Sequence, residues 1–345
     1  MYRQRRPSGF ALAALGAFAL CLSCGGSGSS QTGTGGAAGT TGIAGTTGTA
    51  GTTGTAGAAG AAGTGGGGAA GTGAAGTGGT AGTGTTGVAP SAGCGKPAGI
   101  TSGRASIDVA GKTREYIIAV PTNYDQNKPY RLIFGWHPWG GSAQQIASMG
   151  YFGLSSVING QAILVAPEGQ DFQSNGLGWG NAGGEDVAFA HAMMDLFGAQ
   201  LCIDQNRIFS TGFSFGAMFT FTLACTANSQ QRAVAPMAGN TTTSGGCENG
   251  TRSVAMMSFI GTDDTLLSGH RQAVQVFVGR DGCSTQKTPV TPSWCDGVAA
   301  SFLPCTCVQY QGCKAGYPVV ECEYKAGHQF APSSGATLWN FFSQF

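Results

Sequence analysis

Ser214 lies at the centre of Gly212-Phe213-Ser214-Phe215-Gly216, the one Gly-x-Ser-x-Gly in a chain where 62 of 345 residues are glycine. A serine hydroxyl is a weak nucleophile until a base takes its proton. Four histidines are present. His137 precedes the loop Pro138-Trp139-Gly140-Gly141-Ser142, His191 falls inside a helical pattern, and His270 comes soon after an apolar run. His328 occupies a loop between the last expected strand and the C-terminal helix, the place for the base where the chain order is serine, acid, histidine. Asp263 and Asp264 directly follow the apolar run 253–261. Asp264 is favoured as the acid that orients His328 and stabilises its imidazolium, with Asp263 as the alternative. An oxyanion formed by attack on a carbonyl needs backbone N–H donors. Phe215, next to the serine, is one candidate; Trp139 is the other, because Pro138 has no N–H.

These residues act together only if strands and helices alternate around them. The runs 104–109 and 113–120 alternate polar and apolar residues around Ala110-Gly111-Lys112 and predict a hairpin. YRLIFGW (130–136) and AILVAP (162–167) predict buried strands. EDVAFAHAMMDLF (185–197) changes period, with Val187, Ala190, Met194 and Phe197 on one face and two acids at its start, and predicts a helix. Strand is expected again at 207–212, helix at 215–225, strands at 232–239 and 253–261, and helix at 336–345. Alternating strand and helix imply a mainly parallel sheet covered on both faces, an α/β fold. Ser214 then sits in a strand-to-helix turn, where a strained backbone holds the hydroxyl out of the sheet.

The net charge of +1 and 10% charged residues supply no field for a polyanion and argue against nucleic acid as a partner. Arg3, Arg5 and Arg6, an apolar run from about Gly9 to Leu22 and then Ser23-Cys24 have the form of a signal peptide, too short to remain as a membrane span. Cys24, followed by Gly-Gly-Ser, is a candidate lipidation site; cleavage and release is the alternative. From 25 to 93 the chain is almost all Gly, Ala, Thr and Ser, without the large apolar side chains that offset ordering entropy, and predicts a flexible linker. The expected organisation is therefore a leader at 1–24, a linker at 25–93 and one folded domain at 94–345. Of 12 cysteines, ten fall between Cys94 and Cys322. In an exported chain they imply disulfides rather than zinc held by Cys305, Cys307, Cys313 and Cys322.

The segments CGKPAGITSG, YIIAVPTNYDQNKPYRLIF, EDVAFAHAMMDLF, CIDQNRIFSTGFSFGAMFTFTLAC, GTDD and AGHQF resemble the secreted feruloyl and acetyl-xylan esterases of carbohydrate esterase family one, with the related polyhydroxybutyrate depolymerases. The likeness spans nearly the whole folded domain. It implies an α/β-hydrolase fold, a Ser214, Asp264 and His328 triad, and serine esterase activity on plant cell-wall esters, with no cofactor or metal and a monomeric chain. This sequence has His137-Pro138 where the family has His-Gly, Phe215-Gly-Ala after the serine, and Gln329-Phe330 after the histidine; these differences bear on substrate choice more than on reaction type. The segment 167–181 resembles the family's variable pocket loop, where Trp179 either stacks on an aromatic acyl group or belongs to the core. Acetylated xylan and polyhydroxyalkanoates are the alternative substrates. A non-catalytic surface binding protein and a serine peptidase are alternatives of other classes.

Overall fold

In a computed structural model the described residues are 87–241, 247, 250–291, 293–330 and 334–345. The expected leader, Cys24 and nearly all of the expected linker lie outside them. In chain order the elements are β1 (Gly103–Val109), β2 (Lys112–Ala119), β3 (Tyr130–Trp136), α1 (Ala143–Ser148), β4 (Ala162–Pro167), β5 (Gln170–Asp171), β6 (Leu177–Gly178) and α2 (Glu185–Gln200). They continue with β7 (Ile203–Phe213), α3 (Phe215–Cys225), β8 (Ala233–Met237), β9 (Ala255–Gly261) and α4 (Leu267–Arg280). Last come β10 (Lys287–Pro289), β11 (Cys305–Tyr310), β12 (Val319–Tyr324) and α5 (Ser334–Phe342).

Among the described residues one sheet runs β1-β2-β4-β3-β7-β8-β9-β12-β11-β10. Its six central strands, β4 to β12, are parallel. Antiparallel pairs extend it at both edges. Strands β3, β4, β8 and β9 read as nearly continuous apolar runs because both faces are covered, while β7 and β12 carry polar residues as well. Alternation divides β3 between the two layers: Ile133 packs with α5 residues Leu338, Phe341 and Phe342. Leu132, Phe134 and Trp136 pack with Phe189, Met193 and Phe197 of α2 and Phe219 of α3. Beyond them Phe221, Val234 and Met256 meet Val274 and Phe277 of α4.

Most expected elements are present. In α2 the buried set is Phe189, Ala190, Met193, Met194 and Phe197, while Val187 is only half-buried, so the expected face is rotated. Helix α4 was not expected, although His270, Ala273, Val274, Phe277 and Val278 are buried at helical spacing. The folded part also reaches upstream of Cys94. The Ala89 amide donates to Asp204 at 3.0 Å, the Ser91 amide to Ile203 at 2.8 Å, and the Ser91 hydroxyl to Leu201 at 2.8 Å. Residues 89–93 therefore pack on the domain rather than forming the end of a linker.

All ten cysteines of the folded part are paired, as Cys94–Cys202, Cys225–Cys247, Cys283–Cys313, Cys295–Cys305 and Cys307–Cys322. Three of the five lie in 283–322, the segment that carries the antiparallel edge of the sheet and the exposed strand β10. Cross-linking there removes unfolded-state entropy in addition to the burial of Trp294, Cys307 and Val320 in the core.

Asp281 caps the C-terminal end of α4 and is 1% exposed. Burial pushes its pKa up to about 6, against the pull of the Ser253 side chain, of Arg280 and Lys314, and of the Val254 amide. A carboxyl whose folded pKa is raised adds stability below its unfolded value of about 3.9 and loses it as pH rises through 6. Asp281→Asn is therefore expected to match the parent in Tm near pH 4 and exceed it at pH 8 by a few degrees, about 2–4 °C per kcal/mol at this size. Calorimetry at the two pH values checks this. A variant less stable at pH 8 would mean that the carboxylate works as an ion-pair partner.

Candidate active site

The turn between β7 and α3 places Ser214 at φ 56 and ψ −117, a backbone region that costs a non-glycine residue free energy unless its surroundings enforce it. They do so by close packing. A Cβ on Gly212 would lie 2.5 Å from the carbonyl of Gly216, and one on Gly216 would collide with the Trp136 carbonyl oxygen and stand 2.8 Å from that of His137. Both positions thus require glycine. The Ser214 amide donates to Met237 at 2.9 Å, which ties the turn to the end of β8.

His328 and Asp264 arrive on loops following β12 and β9. The hydrogen-bond ladder between those strands continues past their ends: Thr262 donates to Tyr324 at 2.8 Å and Asp263 to Ala326 at 2.9 Å. Acid and histidine loops are therefore held in register. His328 Nε2 lies 2.8 Å from Ser214 Oγ, and Nδ1 lies 2.8 Å from Asp264 Oδ2. An ionised carboxylate only accepts, so Nδ1 carries the proton and Nε2 presents its lone pair to the serine hydroxyl. Asp264 is 5% exposed and its Oδ1 accepts the Leu266 amide at 2.8 Å. Asp263 points away, paired with Lys325 at 2.7 Å. Of the two acids, Asp264 is the one hydrogen-bonded to His328. Phe213 packs on the His328 ring at 5.1 Å and on Phe330 at 5.6 Å.

The remaining histidines do not approach Ser214. His191 contacts Asn228, and His270 is buried with Nδ1 2.7 Å from the Gly239 carbonyl. His137 is buried beneath the loop that follows β3. Its Nε2 accepts the Gly169 amide at 2.9 Å, which leaves the proton on Nδ1 to donate to the Pro138 carbonyl at 2.7 Å. Burial lowers its pKa, so it stays neutral and serves as a strut. Gly140 donates to Leu177 at 2.8 Å. Glu168 accepts the Ala143 amide at 3.0 Å. Motif spacing does not reveal this role for His137 and Glu168, because their partners are backbone groups brought near by folding.

The structure corrects one expectation. Trp179 is 0% exposed, stacks on Phe219 at 5.3 Å and donates from Nε1 to the His137 carbonyl at 2.8 Å. Its faces are covered, so it cannot stack on an acyl group; it buttresses the loop that carries Trp139. Trp139, by contrast, is 50% exposed. Phe172 lies between it, at 6.4 Å, and the buried Phe215 that follows the serine, at 5.0 Å. Phe215 opens α3, so its N–H is among the donors with no acceptor one turn earlier in the helix.

Among the described residues no group of three or more His, Cys, Asp or Glu side chains could hold a metal ion. No helix there is long and apolar enough to cross a membrane.

A doubly covered parallel sheet with a strained serine turn and loop-borne acid and histidine defines an α/β hydrolase. Two solved structures share the fold: a ferulic acid esterase, TM-score 0.50 at 14% identity, covering 70% of this chain and 96% of that one, and an acetyl xylan esterase from Aspergillus awamori, TM-score 0.51 at 15% identity, covering 70% and 98%. Feruloyl esterase D of Neurospora crassa is 37% identical over 278 residues, 74% of this chain and 91% of its own length. Feruloyl esterase C of Emericella nidulans is 34% identical over 266 residues, 74% and 91%. The chain belongs to the feruloyl esterase family. No family model matches it.

The two neighbouring acids separate cleanly by substitution. Asp264→Asn is expected to lower kcat on an aryl ester by about 10²–10⁴-fold with the fold intact, because the amide no longer fixes the imidazole tautomer. Asp263→Asn should stay within about twofold, since it loses only an exposed ion pair. Comparable losses in both would contradict the relay drawn here.

Proposed function

We propose that this chain is an exported serine esterase that releases ferulate from plant cell-wall polysaccharide. The relay from Ser214 through His328 to Asp264, each link 2.8 Å, carries the reading, together with membership of the feruloyl esterase family. Ser214 Oγ attacks the ester carbonyl as its proton passes to His328 Nε2. The oxyanion is held by the amides of Phe215 and Trp139. As the tetrahedral intermediate collapses, His328 returns the proton to the departing sugar oxygen and the acyl group remains on Ser214. Water, deprotonated by the same imidazole, then attacks the acyl-enzyme, and ferulate leaves as Ser214 recovers its proton. Asp264 stays ionised throughout and stabilises the imidazolium.

The five disulfides support export. Cys24 as the lipid anchor, with the Gly/Ala/Thr segment as tether, completes the proposed organisation; Cys24→Ala should then move the protein from the membrane to the soluble fraction. Retention in the membrane would refute the anchor.

Ser214→Ala should leave a folded protein with hydrolysis of methyl ferulate near background, and the double variant with His328→Ala should lose little more, because the members act as a unit. Additive losses would speak against a shared step. An acetyl-ester preference is the second reading, and Trp139 separates it from the first. Trp139→Ala keeps the backbone N–H while removing the exposed aromatic face. Stacking is worth about 0.5–1.5 kcal/mol beyond burial, so kcat/KM on methyl ferulate should fall about three- to tenfold, with much less loss on an acetyl ester. Equal losses on both would favour the acetyl reading.

A further inference from the structure

A cleft of about 470 Å³ opens on the α5 side of the sheet, away from the relay. Met257 and Val320, paired across β9 and β12, form its floor with Phe341. Each strand residue stands four positions before its strand's C-terminal end, so the cleft begins about 13 Å from the loops bearing Asp264 and His328. The volume is within the usual range for a small-ligand site.

The chemistry of the walls narrows what fits. Among the described residues no charged side chain lines the cleft, and half of its lining residues are neutral amides or hydroxyl side chains. Thr337 and Asn340 stand on successive turns of α5, Gln344 lies in the turn just after its end, and Gln309 joins the lining from near the end of β11. An anion or cation would find no compensating charge, and a lipid tail would strand the polar rim. Neutral hydroxyls donate and accept as side-chain amides do, while the C–H face of a sugar ring matches an apolar floor. Trp294, also in the wall, is 7% exposed, and its indole N–H has no acceptor among the described residues.

We propose that this cleft is a binding site for a neutral glycan chain, which holds the xylan backbone of the polymer while its ester is cleaved at Ser214. The occupant's identity rests on the esterase reading above; the cleft's chemistry does not. Asn340 and Gln344 are exposed, so truncating both opens no hole in the core. The test titrates the full-length protein with ester-free xylohexaose by calorimetry, in parallel with kinetics on methyl ferulate and on feruloylated arabinoxylan.

Xylohexaose is expected to bind the parent. The Asn340→Ala/Gln344→Ala variant should bind at least fivefold more weakly and show a similar rise in KM on the polymer, with kinetics on methyl ferulate unchanged. Thr337→Trp, which fills the cleft, should reproduce both effects. No binding of xylohexaose by the parent, or equal binding by the parent and both variants, overturns the site. Parent activity on neither ester would instead defeat the esterase reading, and the xylohexaose titration would still decide the cleft.

Discussion

The catalytic end depends on how closely the first turn of α3 approaches the end of β3. With hydrogen in place of a side chain at Gly216, the helix start rests on the carbonyls of Trp136 and His137. That contact fixes two things together. It holds Ser214 in its left-handed turn, and it sets the loop after β3 directly beside the serine. A single methyl group at Gly216 would separate the nucleophile from the loop that carries Trp139. The local cost of the Ser214 backbone is then balanced by sheet and helix packing that leaves no room for a relaxed turn.

The acid and histidine are positioned by a different device, the extension of a parallel ladder beyond its strands. The amides of Thr262 and Asp263 bond across to Tyr324 and Ala326, so the two loops behave as one continued strand pair. Gly261 permits this, since a Cβ there would press on the carbonyls of Ala326 and Gly327. The side chain of Asp264 falls under His328, while that of Asp263 reaches Lys325 in solvent. Residues 262 and 263 form a turn closed by the Asp264 amide donating to Gly261 at 3.1 Å, so the two carboxylates leave it in different directions and only Asp264 reaches the histidine.

What the sequence made legible follows from the range of the forces involved. The buried strands, α2 and α3 rest on local pattern and appear where expected; the order of Ser214, Asp264 and His328 is read from the same pattern, and the three are hydrogen-bonded in the fold. The Asp263 or Asp264 alternative needed the loop geometry. Trp179 needed its neighbours: a tryptophan in a glycine-rich loop suggests an exposed platform, but the covering Phe219 and the His137 acceptor come from distant segments. Helix α4 had a readable period, with His270 among its buried residues. A histidine there suggested chemistry after a strand, whereas burial and the bond to Gly239 make it part of the packing.

His328 also depends on the antiparallel edge of the sheet. It follows β12, whose other neighbour is β11, and beyond that lies only the short, exposed β10. Cys307 and Cys322 are directly opposed across β11 and β12 and bonded to each other; Cys295–Cys305 and Cys283–Cys313 close the loops on either side. Loops of 10 to 30 residues each remove roughly 3 kcal/mol of unfolded-state entropy in the chain model. Each is comparable with burying one large apolar side chain. The cross-links thereby brace the strand from which the His328 loop emerges.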